Sequence, residues 1–248
     1  IALNRLLNGH NVSCSKRNIV PNLDLLPFPD RTLIDQSYYK RTIDGERAFH
    51  IITSRDCPFN CSFCSKKAVG RNIRFRSVEN VMKEIDLDTK EYGITKYVLY
   101  DDTFTINKER AIKIAREFGR RKIKWRCFSR VDTVNREVLK TFRDNGLSSI
   151  TFGVETFSQK MLDIYNKGTT VEQNKTTLLL CKELGIPVRC SLIYGGPQET
   201  LETLQETIHG IKQTQPDEWN IATFVPIPGS DIGDNPEKYS INILPDPY

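Results

Sequence analysis

The chain has 248 residues, of which 38% are hydrophobic and 27% are charged, and its formal net charge is +5. These are ordinary values for a globular protein, and the length allows one large domain or two small ones. No apolar run approaches the roughly 18 residues that a membrane-spanning helix needs, so we expect no membrane partner.

The seven cysteines are not the even, dense set that a small disulfide-stapled secreted domain would carry. Four are scattered through apolar or strand-like surroundings, where we expect small buried hydrophobic side chains: Cys14, Cys127, Cys181 and Cys190. The other three lie close together. A reducing cytoplasm is the expected location, since an oxygen-sensitive thiolate cluster would survive there.

Basic residues gather at two places, "RNIRFR" (71–76) and "RRKIKWR" (120–126). They can be solvated helix ends and loops, or a nucleic-acid-binding face. No RNA- or DNA-binding signature accompanies them, so we interpret both as solvated and keep nucleic acid as the minor alternative.

Residues 1–49 are irregular and rich in turn formers. Pro21, Pro27 and Pro29 fall within one short stretch, which excludes a helix or a central strand. We interpret 1–49 as a connector along a domain surface. The first residues carry neither an initiator methionine nor a signal pattern, which indicates the cut edge of a longer protein. Residues 229–248 are expected to be a C-terminal tail or the start of a further segment.

From His50 onward, predicted strands alternate with predicted helices. The strands are β-branched or apolar runs at 50–55, 96–102, 124–131, 148–155, 186–196 and 218–227. The helices, several with Ser or Asn caps and glycine stops, lie at 77–92, 107–119, 135–146, 158–168, 170–185 and 199–214. Each connection is long enough for a right-handed crossover between parallel strands, as in an open doubly wound sheet or a barrel.

The strand at 148–155 favours the barrel, because its two faces differ. Ile150, Phe152 and Val154 share one face, and the small or polar residues between them share the other with Glu155. A strand with helices outside and a ligand-lined interior has this pattern. We therefore predict an α/β fold, a partial, open (β/α)6 TIM-like barrel with an irregular N-terminal arm. Six units rather than eight would leave one side open for a bulky substrate.

Chemistry in such barrels sits at the carboxyl ends of the strands. Polar, charged or glycine residues occupy five of these predicted ends: Arg55, Asp56 and Cys57, then Asp101 and Asp102, Ser129 and Arg130, Glu155, and Gly195 and Gly196.

The segment "SRDCPFNCSFCSKK" (54–67) carries Cys57, Cys61 and Cys64 with the spacing C-x3-C-x2-C. A structural zinc site requires four ligands, commonly as two distant cysteine pairs, and the sequence has no second pair of this kind. A ferredoxin-type cluster requires a fourth cysteine ligand, and none lies nearby in the sequence. The remaining option is a cubane with three thiolate-bound irons and one open iron that takes an exogenous ligand.

This spacing, in the loop after the first strand of a six-unit barrel, resembles the radical S-adenosylmethionine (SAM) superfamily. The resemblance covers about 50–228. It implies a [4Fe–4S] cluster on Cys57, Cys61 and Cys64, with SAM chelated by the open iron. An electron from the cluster would then cleave the sulfonium to methionine and a 5′-deoxyadenosyl radical.

The resemblance also implies SAM contacts, carried over one position at a time. Phe63 matches the aromatic residue that lies against the adenine, with a loop anchor as its alternative role. The family usually has Gly-Gly-Glu at the second strand, whereas this chain has "YDDTF", so Asp101 or Asp102 could accept the hydrogen bond from the SAM amino group.

Glu155 matches a polar contact to the ribose or methionine end of SAM, and Arg130 could pair with the SAM carboxylate. For both residues an interior salt bridge is the rival interpretation. "LIYGGPQET" (192–200) resembles the glycine-bearing fifth strand that lets the adenine approach the backbone, which points to Tyr194 and Gly195.

A narrower resemblance points to the cobalamin-dependent branch of the superfamily. It rests on "NLDLLPFPDR", "TSRDCPFNCSFC", "DDTFTIN", "FGVETFSQKMLDIYNKGTT", "GGPQETLETLQET" and "PIPGS". In that branch a cobalamin-binding domain precedes the proline connector, so 1–49 would be the tail of such a domain, absent from this chain. No Asp-x-His-x-x-Gly ligand motif is present, and His10, His50 and His209 are expected to be structural.

The resemblance implies a radical SAM enzyme core, with cobalamin-dependent methylation of an unactivated carbon as the specific hypothesis. A radical SAM cyclase, epimerase or RNA-modifying enzyme is the alternative within the class. A metal-stabilised nucleic-acid-binding module is the alternative outside it. The expected partners are a small-molecule or peptide substrate and an electron donor such as flavodoxin or ferredoxin.

Overall fold

The computed structural model describes residues 19–65 and 70–242. Its centre is a parallel six-stranded sheet whose strands lie side by side in chain order. The strands are β1 (Phe49–Ile51), β2 (Lys96–Leu99), β3 (Lys124–Ser129), β4 (Leu147–Glu155), β5 (Val188–Tyr194) and β6 (Glu218–Thr223). A doubly wound sheet would reverse its strand order at a switch point, and this sheet does not. β1 and β6 are not paired with each other, so the predicted partial, open barrel is confirmed.

Seven α-helices connect or follow the strands in the described part of the chain. They are α1 (Val78–Tyr92), α2 (Lys108–Arg120), α3 (Arg136–Asp144), α4 (Gln159–Ile164), α5 (Val171–Glu183), α6 (Leu201–Thr214) and the short α7 (Asp231–Asp234). Single 3-10 turns occupy Leu23–Leu25, Arg31–Leu33, Gln36–Tyr38, Val131–Thr133 and Pro236–Tyr239.

The predicted caps explain where the first helices begin. Ser77, Asn107 and Asn135 each accept a hydrogen bond from the backbone amide three residues later. These bonds satisfy donors that the first turn leaves without a partner. Gly93 ends α1 in the left-handed conformation, as predicted, whereas Gly119 lies inside α2, which continues to Arg120.

The hydrophobic core lies between the sheet and the helices. Trp125 of β3 is fully buried, and its ring meets those of Phe104, Phe118 and Phe142 at centroid distances of 5.7, 5.6 and 4.9 Å. The outward residues of β4 are fully buried in the same cluster, whereas Thr151 and its inward neighbours are half-buried. This difference confirms that helices cover the outer face of the strand.

The run predicted as one strand at 50–55 is divided. β1 ends at Ile51, and Ser54–Arg55 pairs instead with Arg74–Phe75 in a separate antiparallel ribbon. Thr53 leaves the sheet because its amide donates to the buried carboxylate of Asp101 at 2.6 Å. The chain therefore turns away from the barrel just before the cysteines.

The described part of the N-terminal arm packs against α1. Arg31 donates to Asp88 at 2.8 Å and to Glu84 at 3.2 Å, and its guanidinium lies 4.4 Å from the ring centroid of Phe49. A short hairpin, Thr42–Ile43 with Glu46–Arg47, then leads into β1. The arm is thus held by charge and stacking rather than by a sheet.

At the opposite edge, all six side chains of β6 are exposed. The predicted burial of Cys127, Cys181 and Cys190 is confirmed, whereas Cys14 and His10 lie outside the described residues. In the described ranges 19–65 and 70–242, every helix is too short or too polar to cross a bilayer.

The aromatic core predicts a stability measurement. Phe142→Ala should lower the free energy of unfolding by about 3–5 kcal/mol, because it removes a fully buried ring and leaves a cavity. Leu87→Ala, at a residue of α1 that is 43% exposed, is the control and should change it by about 0.5 kcal/mol or less. Urea denaturation of both variants checks this, and equal losses would contradict the assignment of the core.

Candidate active site

The three clustered cysteines lie on one loop at the carboxyl ends of the sheet strands, and all three are partly exposed. Ser62, between them, donates from its amide to the carbonyl of Tyr165 and from its hydroxyl to the carbonyl of Ile164, both at 2.8 Å. Asn166 donates to the carbonyl of Asn60 at 2.8 Å. The last residue of α4 and the two residues after it therefore hold the cysteine loop in place.

Asp56 fixes the start of the loop. It is buried and adopts a positive φ of 72°, a conformation that is uncommon for a residue other than glycine. One of its oxygens accepts two hydrogen bonds from Arg74, at 2.7 and 2.9 Å. Strained residues of this kind are common at functional sites, where the surrounding contacts hold them in place.

Arg130 contacts the cysteine loop directly. Its guanidinium lies 3.6 Å from the ring centroid of Phe59, and Nη1 is 3.5 Å from the sulfur of Cys61. The same guanidinium binds both carboxylate oxygens of Asp132, at 2.8 and 2.9 Å, and the carbonyl of Lys167 at 2.6 Å. The interior salt bridge considered for Arg130 is therefore present, and it aims the cation at the loop.

Glu155 forms the other interior salt bridge, with Lys167 at 2.6 Å. Both side chains are almost fully buried, and the ammonium lies 5.8 Å from the ring centroid of Phe63. Gly153 leaves room for the pair, since a Cβ there would come within 2.5 Å of a carboxylate oxygen of Glu155.

These cations act on the thiol of Cys61. Burial raises the pKa of Cys61, whereas the nearby charges of Lys167 and Arg130 lower it. Burial is the larger effect, so the pKa of Cys61 is raised overall, and the two cations reduce the rise that binding a metal as a thiolate must overcome.

The two aspartates after β2 are in different environments. Asp101 is buried and accepts hydrogen bonds from the Thr53 amide at 2.6 Å and from the Ser54 hydroxyl at 2.8 Å. Burial raises the pKa of Asp101, and the hydrogen bonds from Thr53 and Ser54 oppose that rise. Asp102 is exposed.

The end of β5 lies beside the same loop segment. Tyr194 is 49% exposed, and Gly195 has a φ of 77° with open space where a side chain would be. A Cβ at Gly196 would overlap the hydroxyl of Tyr165, the residue that anchors Ser62. Gly196 therefore lets the end of β5 pack against Tyr165, whose carbonyl holds the cysteine loop.

The residues present fit an iron–sulfur cluster. Thiolates suit iron–sulfur clusters, and the two cations beside Cys61 would offset the negative charge of a bound cluster. Among the residues that the structure describes, no three His, Cys, Asp or Glu side chains converge as one bare metal ion would require. A cluster that binds each cysteine through a separate iron does not need such convergence.

The structure brings Cys61, Phe63, Arg130 and Glu155 together around Lys167. Sequence reasoning did not assign Lys167 or Tyr165 to the site, and it placed Asp56 at a strand end without giving it a role. Lys167 and Tyr165 lie in "FGVETFSQKMLDIYNKGTT", which carried the resemblance to the cobalamin-dependent branch, but the pattern alone does not show which of its side chains face the loop.

Four of the eight basic residues in the two clusters pair with carboxylates, namely Arg74, Arg76, Arg120 and Arg121. In 71–76, Arg74 pairs with Asp56, and Arg76 pairs with Glu84 at 2.5 Å. In 120–126, Arg121 pairs with Asp86 at 2.8 Å. These contacts support the interpretation of the clusters as structural surface rather than a nucleic-acid-binding face.

Comparison with known protein families identifies the superfamily to which the chain belongs. The family model described as the radical SAM superfamily matches residues 51–211, which is more than half of the chain. The chain therefore belongs to the radical SAM superfamily, and the family assignment made from the cysteine spacing is confirmed. A [4Fe–4S] cluster and SAM are the cofactors of that superfamily.

Individual relatives refine the comparison. The chain is 36% identical to the uncharacterized methyltransferase PH0819 of Pyrococcus horikoshii over 226 residues, covering 90% of this chain and 49% of that protein. It is also 36% identical to the anaerobic magnesium-protoporphyrin IX monomethyl ester cyclase of Cereibacter sphaeroides over 206 residues, covering 81% of this chain and 34% of that protein. The chain thus spans half or less of the curated relatives it matches.

Solved structures agree on the fold. The radical SAM methyltransferase TsrM from Kitasatospora setae, with cobalamin and a [4Fe–4S] cluster bound, superposes with a TM-score of 0.70 at 19% identity, covering 84% of this chain and 40% of TsrM. The cobalamin-dependent radical enzyme OxsB, with aqua-cobalamin bound, gives a TM-score of 0.60 at 26% identity, covering 75% and 29%. The roles of individual SAM-site residues stay predictions.

The buried pair predicts a strong energetic coupling. Lys167→Met and Glu155→Gln should each lower the free energy of unfolding by about 3–5 kcal/mol, because each leaves a buried group without its partner. The double variant should lose less than the sum of the two. The exposed pair Arg136 and Glu183 is the control and should show no measurable coupling, because solvent screens both charges. Urea denaturation of the metal-free single and double variants of each pair measures the two coupling energies. Additive losses in the buried pair would contradict the predicted coupling.

Proposed function

We propose that the chain is the core of an enzyme that cleaves SAM reductively and uses the resulting radical on its substrate. The observation that carries the proposal is the loop of Cys57, Cys61 and Cys64, with Arg130 at 3.5 Å from the Cys61 sulfur. Cys57, Cys61 and Cys64 would hold a [4Fe–4S] cluster, and the chemistry that the cluster would supply to bound SAM is one-electron cleavage of the sulfonium to methionine and a 5′-deoxyadenosyl radical.

The protein's own residues prepare and shield this chemistry. The three cysteines would hold the cluster as thiolates, and the cations of Arg130 and Lys167 offset the negative charge that collects there. Hydrogen bonds from Ser62 to the segment after α4 keep the loop in one position. The phenyl ring of Phe63, with Tyr165 edge-on at 5.4 Å, would lie against the adenine.

The remaining SAM contacts would come from residues at the carboxyl ends of β2, β3, β4 and β5. Asp101 is buried beneath Thr53 and Ser54, whereas Asp102 is exposed, so we assign the hydrogen bond from the SAM amino group to Asp102. Arg130 would meet the SAM carboxylate, and Glu155 would meet the ribose or methionine end. Tyr194 and Gly195 would border the adenine, where the open space at Gly195 allows close approach.

For the overall reaction we propose cobalamin-dependent methylation of an unactivated carbon. Its support is the similarity to a protein named as a methyltransferase and to the cobalamin-bound structures of TsrM and OxsB. The arm at 1–49 would then follow a cobalamin-binding domain. A second candidate is a radical SAM cyclase, supported by the 36% identity to the magnesium-protoporphyrin IX monomethyl ester cyclase.

The proposed substrate, electron donor and cellular location follow from this chemistry. The substrate would be a small molecule or a peptide that enters the open barrel, and a flavodoxin or ferredoxin would supply the electron. A reducing cytoplasm would keep the thiols and the cluster intact.

The ligand assignment is tested by one cysteine and a matched control. Cys61→Ala should abolish both the visible absorbance of the reconstituted cluster and the formation of 5′-deoxyadenosine with a reductant. Cys181→Ala, which alters a buried core cysteine, should keep both. The far-ultraviolet circular dichroism of Cys61→Ala should stay native, because the hydrophobic core rather than the metal carries the fold. An intact cluster in Cys61→Ala would rule out the assignment.

Substitutions of Asp101 and Asp102 should have different effects. Asp102→Asn should weaken SAM binding by about 1–3 kcal/mol, because the neutral amide oxygen replaces a charged acceptor in the hydrogen bond from the SAM amino group. Asp101→Asn should instead lower thermal stability, because the new amide cannot accept all the hydrogen bonds from Thr53 and Ser54. Calorimetry with SAM and thermal unfolding of both variants separate the roles. Normal SAM affinity in Asp102→Asn would contradict its assignment.

The two overall reactions leave different products of SAM. Methyl transfer from SAM leaves S-adenosylhomocysteine, whereas reductive cleavage leaves methionine and 5′-deoxyadenosine. The whole protein, given cobalamin, a reductant and SAM, should therefore form S-adenosylhomocysteine if it methylates. Formation of 5′-deoxyadenosine alone would favour the cyclase.

A further inference from the structure

An inward-facing stripe on β3 leads from the cysteine loop into the barrel. Trp125 and Cys127 point outward into the hydrophobic core, where both are buried. Side chains alternate along a strand, so Arg126, Phe128 and Arg130 share the inner face. Arg130 is the end of the stripe that contacts Cys61.

Arg126 lies on this stripe without a counter-charge. Within 19–65 and 70–242, its Nε is buried and has no hydrogen-bond partner. Its neighbours across the sheet are Val98 on β2 and Ser149 on β4, and neither carries a charge. The adjacent bulge residue Ser148 also has a buried hydroxyl that no described residue pairs.

The other inward cations along the described barrel are either paired or, like Lys124 on β3, exposed to solvent and hydrated. Arg189 on β5 binds Glu218 at 2.6 Å, and Lys96 on β2 binds Glu46 at 3.0 Å. At the carboxyl ends, Arg130 and Lys167 have carboxylates of their own. The missing partner at Arg126 is therefore a local feature rather than a general property of the interior.

A partly buried guanidinium loses hydration, and this loss is offset only if the cation meets an anion or several acceptors. We infer that Arg126 binds an oxyanion of the substrate, a carboxylate or a phosphate. A guanidinium presents its donors in a planar fork that matches both groups. The inference rests on the proposed function, because it takes the barrel interior as the substrate site.

The position of Arg126 also gives the substrate a length. Four residues separate Arg126 from Arg130, and at ~3.3 Å per residue the two positions lie ~13 Å apart along the strand. The ring of Phe128 lies between them, half-buried against Ile43, Ala48, Val98 and the ring of Tyr100. The substrate class is therefore an elongated molecule with an oxyanion at Arg126 and its reacting carbon near the cysteine loop.

The test uses three probes of similar size on the reconstituted protein, with SAM at saturation so that its own carboxylate site is filled. Benzoate and phenyl phosphate carry the two oxyanions, and benzyl alcohol is neutral. The variant is Arg126→Gln, and the matched control is Lys124→Gln, an exposed cation on the same face of β3. Calorimetry gives the dissociation constants, and thermal unfolding without probe gives the stability.

At least one anion should bind the wild-type protein and the Lys124→Gln variant ten times or more tightly than it binds Arg126→Gln. Benzyl alcohol should not discriminate among them. Binding of benzoate alone assigns a carboxylate, and binding of phenyl phosphate alone assigns a phosphate. Without probe, Arg126→Gln should unfold at the same temperature as the wild type or higher, because an uncompensated charge is gone.

Equal affinity of Arg126→Gln and wild type for both anions, or no anion binding to the wild type, would overturn the inference. So would a clear loss of thermal stability in Arg126→Gln, since that would show a structural partner for the guanidinium. The wild type is assayed in parallel for 5′-deoxyadenosine. Cleavage of SAM without anion discrimination refutes only the Arg126 site, whereas failure to cleave SAM refutes the proposed function and with it the substrate role of the site.

Discussion

A buried carboxylate at the end of β2 decides where the first strand stops and where the cysteine loop begins. Asp101 accepts hydrogen bonds from Thr53 and Ser54, while Arg110 donates to the carbonyl of Thr53 at 2.8 Å. Groups from two neighbouring units therefore hold the chain at the point where it leaves the sheet. The cysteines follow directly, so their position relative to β3 and β4 depends on this contact.

Positive charge at the loop is fixed independently of the state of the thiols. Arg130 is held by Asp132, and Lys167 is held by Glu155, so each cation keeps its place through its own carboxylate. A cation that is already ordered loses little conformational entropy when a charged group forms beside it. The two charges beside the loop are therefore held in place by the protein's own carboxylates.

Much of the fold was predictable because its signals are local. The caps at Ser77, Asn107 and Asn135 and the alternation in β4 depend on neighbours in sequence, and all appear as expected. The break after Ile51 was not predictable, since it depends on a carboxylate about fifty residues away. The place of Lys167 in the site also depends on long-range packing, which a single sequence does not display.

The open side of the barrel has a consequence for how the protein behaves in solution. β6 pairs only with β5 among the described strands, and all its side chains are exposed, including Trp219 and Ile221 at 54% each. An uncovered strand edge presents unpaired amides and carbonyls to any extended chain that approaches it. Among the described strands, this exposed edge is thus the part of the fold least protected against aggregation.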